Sequence, residues 1–80
     1  MERIEPSFRA GGYRFFFYSN DHDPPHVHVV IDGYEIRLLI QTGTPLDAYS
    51  NPSGSKIRKV GEIVAAHSEE LQELWDEWFR

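Results

Sequence analysis

Between residues 26 and 40 the chain alternates as a half-buried strand does. Val27, Val29 and Ile31 project to one side, and His26, His28 and Val30 to the other. Asp32-Gly33 is a favoured two-residue hairpin turn. It pairs Ile31 with Tyr34, Val29 with Ile36 and Val27 with Leu38 on the apolar face. On the opposite face it sets Val30 against Glu35, His28 against Arg37 and His26 against Leu39. Turn chemistry and hydrophobic pattern specify the same register. Upstream, Gly11-Gly12 separates a short segment, residues 4–9, from an aromatic strand over residues 13–19. Residues 20–25 form a loop, because the consecutive prolines Pro24 and Pro25 cannot donate to a ladder. Downstream, Thr42-Gly43 marks a turn, residues 46–49 a short final strand, and residues 51–55 a connecting loop.

The C-terminal third changes period. Ile57, Val64, Leu71 and Trp78 recur at sevens with apolar residues between them, which predicts one amphipathic helix over residues 56–79, capped by Ser53 or Ser55. The alternative is a break near residues 66–68, because Ser68-Glu69-Glu70 resembles a second helix start. The fold class is therefore α+β: a small antiparallel meander of about four strands with one long helix packed on one face. The core face is Val27, Val29, Ile31, Ile36, Leu38 and Ile40. His67, Trp75 and Trp78 fall on the apolar stripe of the helix and read as core. The histidines of the hairpin lie on the sheet face the helix leaves uncovered.

Eighty residues make one domain, 1–80. The chain has no cysteine, so disulfides and thiolate chemistry are excluded. A charged start without an apolar run, and apolar stretches far short of a membrane span, place it as a soluble cytoplasmic protein with no membrane partner. A net charge of −5 disfavours general nucleic-acid binding, which needs a surplus of Lys and Arg.

Candidate chemistry concentrates in Asp21-His22-Asp23-Pro24-Pro25-His26-Val27-His28. His26 and His28, two apart on a strand, leave the same face with Cα atoms about 6.6 Å apart, close enough to chelate one ion. His22, or Asp21, folded back by the proline loop, supplies a third ligand. Such a site suits Zn(II), Cu(II) or Ni(II). Three roles fit these residues: hydrogen-bonding of the loop and strand end, a metal site through His22, His26 and His28, or metal-free catalysis or recognition. Arg37, opposite His28, places a cation beside it and disfavours the imidazolium form. Phe16 and Tyr18, if in phase with Arg14, add aromatic surface to the same face. Lys56, Arg58 and Lys59 cluster at the start of the helix, either as an anion site or as a solvated face.

The phrase Asp21-His22-x-Pro24-Pro25-His26-x-His28, followed by Thr42-Gly43 and by His67-x-x-Glu70-Leu71-x-x-x-Trp75, resembles the signature of a small bacterial family known as domain of unknown function 4160. The resemblance implies a compact α+β domain encoded beside another short gene, in pairs of the toxin–antitoxin kind, and hence a protein partner. It implies no activity. Two functions follow as expectations. The first is a protein-binding component of such a pair, using the open sheet face. The alternative is a small hydrolase or nuclease built on the histidine cluster, with or without a divalent metal.

Overall fold

A computed structural model describes residues 2–80, with side chains outside residues 5–7. Four strands, β1 (Arg3–Ala10), β2 (Tyr13–Tyr18), β3 (His26–Ile31) and β4 (Tyr34–Leu39), form an antiparallel sheet in sequential order. Two helices follow, α1 (Gly54–Ala66) and α2 (Ser68–Phe79). The α+β class and the four-strand meander are as the sequence predicts.

The β3–β4 hairpin has the predicted register throughout, from His26 opposite Leu39 to Ile31 opposite Tyr34, with His28 opposite Arg37. Asp32 and Gly33 both take positive φ, 52° and 83°, as the turn that matches strand twist requires. Lys56 pairs with Asp32, so one cation of the basic cluster at the start of α1 is tied to the hairpin tip. In β1–β2 the register shifts between Ile4 and Phe8, on an edge strand that contains Pro6. The β2–β3 ladder is shorter, pairing Phe15 with Val29 and Phe16 with His28. That register puts Phe16 and Tyr18 in phase with Arg14 on the histidine face.

The core lies between the other face and the helices. Phe15, Phe17, Val27, Val29, Ile31, Ile36, Leu38 and Ile40 meet Ile57, Val60 and Val64 of α1 and Leu71 and Trp75 of α2. Gly43, at φ 72°, lies against Gly61 of α1 so closely that a Cβ on either would strike the other's backbone. Gly61 is therefore a packing requirement of α1, although it weakens the helix by about 1 kcal/mol relative to Ala.

Four expectations are corrected. The single long helix is two. His67, at φ −112° and ψ 23°, ends α1 and precedes α2, while Ser68-Glu69-Glu70 starts a new turn with acidic residues at its positive end. His67 is half-buried at this junction and not in the core; it lies against Phe8, with Nδ1 3.2 Å from Glu70 Oε1. Trp78 is 51% exposed, because Phe79 fills the place beside Phe17 and Trp75. The final strand is reduced to one bridge between Leu38 and Pro45, because the Arg37 N–H that would return the hydrogen bond from Leu46 donates to the Tyr49 hydroxyl instead.

Candidate metal centre

His26 and His28 project from β3 away from the helices, yet they are only 4% and 5% exposed. The expectation of an uncovered histidine face is overturned here: loop 20–25 folds back over it. The fold-back begins at Asp21, whose N–H donates to the Tyr18 carbonyl at 3.0 Å. Tyr18 N–H in turn donates to Asp21 Oδ2 at 2.9 Å. The Asp21 side chain is left 8% exposed. Its Oδ1 lies 3.4 Å from His26 Nε2 and 3.1 Å from His28 Nε2.

Asp21, His26 and His28 each offer one ligand atom, all within 4.8 Å of one another. Ligands at about 2.0–2.1 Å from a tetrahedral metal stand about 3.3–3.4 Å apart, close to both carboxylate–imidazole separations. The outer atoms of these groups are also held. His26 Nδ1 donates to the Pro24 carbonyl at 2.7 Å. A carbonyl can only accept, so in the neutral ring the His26 Nε2 lone pair faces Asp21. Asp21 Oδ2 accepts from Tyr18 N–H and also lies 3.1 Å from His28 Nε2, while Oδ1 faces both imidazoles.

His28 stacks on Phe16 at a centroid distance of 5.7 Å and has the edge of Tyr18 at 4.6 Å. Its Nδ1 is buried without a hydrogen-bond partner. Glu35 Oε2 lies 3.4 Å from it, longer than the usual range of about 2.7–3.2 Å. The other Glu35 oxygen accepts from Tyr18 Oη at 2.7 Å. That carboxylate, and then burial, push the Tyr18 phenol above its ordinary pKa.

Beside this cluster opens a cleft of about 430 Å³, bounded by loop 20–24, Glu35, Arg37 and Leu46. His22 lines the cleft but is exposed, its Nδ1 3.5 Å from the Asn20 carbonyl, and it stands outside the converging trio. Asp21, and not His22, is the residue that the loop brings beside His26 and His28. Arg37 keeps its register opposite His28 but turns elsewhere: Nε and Nη2 donate to Asp47 Oδ2 at 3.1 and 2.7 Å. Tyr49 completes the arrangement, its hydroxyl donating to the same oxygen and accepting from Arg37 N–H. The guanidinium holds the Asp47 carboxyl below the usual range. The charged groups against His28 are thus carboxylates, not the cation expected from the register.

Glu35 was not singled out from the sequence. The signal was present, because the hairpin register puts it two residues from Arg37 and so diagonal to His28.

Among the described residues no helix is long and apolar enough to cross a membrane. No curated protein and no solved structure gives a significant match. A family model for a domain of unknown function, DUF4160, matches residues 12–76, a span that holds β2–β4, α1, most of α2 and the whole Asp21–His26–His28 cluster, and the chain belongs to that family.

Proposed function

We propose that the chain binds one divalent transition metal through Asp21 Oδ1, His26 Nε2 and His28 Nε2, and that it works as a small metal-dependent hydrolase. The observation that carries this reading is the convergence of two imidazole nitrogens and one carboxylate oxygen, with His26 Nδ1 and Asp21 Oδ2 hydrogen-bonded to the backbone. In the metal-free chain a His28 Nε2–H donates to the Asp21 carboxylate, and a divalent cation would take the place of that proton among the three ligand atoms. Two imidazoles and a carboxylate suit zinc and its first-row neighbours.

Asp21, His26 and His28 would hold the ion with room for a further ligand, and the ion would supply Lewis-acid activation of water near neutral pH. The residues do the rest. Pro24 and Tyr18 fix the orientation of His26 and Asp21, and the cleft admits a ligand from one side. Its size lies within the range of small-molecule sites.

Protein binding within a two-gene pair draws less support. Of the residues that were to furnish an open contact face, Phe16, His26 and His28 are buried, while Tyr18, Arg37 and Leu39 are part-exposed.

Zinc titration by calorimetry tests the metal reading. The parent protein is expected to take up one equivalent near neutral pH, and less as acid protonates the imidazoles. Asp21→Asn and His26→Ala lose this uptake, while His22→Ala retains it. A parent protein that binds neither zinc nor copper overturns the metal reading. Hydrolysis of a chromogenic ester, abolished by chelation and restored by zinc, tests the catalytic half; a zinc-loaded protein without such turnover overturns that half alone.

A further inference from the structure

We infer that Glu35 is a positioning residue for the metal centre: it takes the Nδ1 proton of His28 in a hydrogen bond and so turns Nε2 into the ligand, while Tyr18 holds Glu35 in place. The inference rests on the metal reading above and extends it to two residues outside the ligand set.

The three side chains come from three adjacent strands. His28 sits on β3, with Tyr18 diagonal to it on β2 and Glu35 diagonal to it on β4. The Tyr18 ring crosses the edge of the imidazole, and its hydroxyl reaches Glu35 on the far side. A glutamate on the solvent side of a sheet is ordinarily free. Here the side chain is 40% exposed, yet one oxygen is bound by Tyr18 and the other faces a buried nitrogen that has no partner. An unpartnered buried nitrogen is costly, and the nearby carboxylate supplies its natural acceptor.

The two histidines thereby become equivalent. Each has Nδ1 directed at an oxygen acceptor, Pro24 O for His26 and Glu35 Oε2 for His28, and each has Nε2 directed at Asp21. A carboxylate behind a ligating imidazole fixes its tautomer and raises its basicity, and loss of such a partner commonly weakens metal affinity 10–100-fold.

Zinc affinities of the full chain, measured beside the melting temperatures of the metal-free proteins, test this. Glu35→Ala is expected to bind zinc about 10–100-fold more weakly, with metal-free melting close to the parent's. Glu35→Gln keeps an acceptor oxygen without the charge and recovers part of the loss. Tyr18→Phe weakens binding less than Glu35→Ala does. In the zinc-loaded parent, nitrogen-15 spectra of the imidazoles are expected to show His28 protonated at Nδ1 and metal-bound at Nε2. Parent-like affinity in Glu35→Ala, a loss explained by metal-free stability, or zinc on His28 Nδ1 overturns the inference while leaving the metal reading intact. A parent that takes up no zinc shows the fault to lie in the metal reading itself.

Discussion

On one face of β3, Val27, Val29 and Ile31 are covered by two helices; on the other, His26 and His28 are covered by a short loop, a tyrosine and a glutamate. Water is kept from the side chains on both sides, although Val30 on the histidine face is 44% exposed, and the physical terms differ. Each buried aliphatic side chain on the helix face contributes about 1.5–3 kcal/mol through loss of apolar surface. The histidine face buries polar nitrogens, one of them without a partner, and so forgoes stability where Asp21, His26 and His28 converge. The first face holds the fold together. The second contributes less to stability and carries the candidate site.

The largest effect that separates the faces is expected on the apolar side. Leu38→Ala should lower unfolding free energy by about 2–5 kcal/mol, as for other fully buried leucines, read from urea denaturation of the metal-free protein. A loss below about 1 kcal/mol would show that the helices do not close over this face as described.

His28→Leu sharpens the contrast from the other side. The substitution removes the contact with Asp21, but it also removes a buried nitrogen that has no partner and adds apolar surface beside Phe16. Metal-free stability is expected to change by no more than about 1 kcal/mol in either direction, while zinc uptake disappears. A loss matching that of Leu38→Ala would make the histidine part of the structural core.

The smallest effect lies at the rim. Arg37 and Asp47 form an exposed pair, worth about 0–1 kcal/mol. Asp47→Asn should lower stability by that amount at neutral pH. Because the folded-state pKa of Asp47 is depressed, its contribution is complete above the unfolded value and is lost as pH falls through the folded one. The denaturation midpoints of parent and variant should therefore converge below about pH 4. A difference that persists in acid would assign the effect to another group.

Legibility in the sequence followed how many independent signals met at each residue. The hairpin register was readable because Asp32-Gly33 and the alternation of Val27, Val29 and Ile31 demand the same pairing. The break at His67 carried a signal in Ser68-Glu69-Glu70, but the seven-residue repeat of Ile57, Val64, Leu71 and Trp78 runs across it without a change of phase and favoured one helix. Alternation also states which face of a strand a side chain leaves by, but not whether that face is covered. Cover here comes from loop 20–25, and an irregular loop has no period from which to choose between the neighbours Asp21 and His22. Family resemblance was readable from the Asp-His-x-Pro-Pro-His-x-His phrase, and the matched span contains it.

The short ladder between β2 and β3 has a mechanical consequence. The sheet consists of two hairpins, β1–β2 and β3–β4, joined along a seam where Phe15 meets Val29 and Phe16 meets His28. Asp21 follows the last strand of the first hairpin, and His26 and His28 belong to the first strand of the second. On the proposed metal reading, an ion held by all three would be a clasp across the seam. At one hundred times its dissociation constant, such an ion would add about 2.7 kcal/mol to the folded state. The attachment of one hairpin to the other would then follow the free metal concentration around the protein.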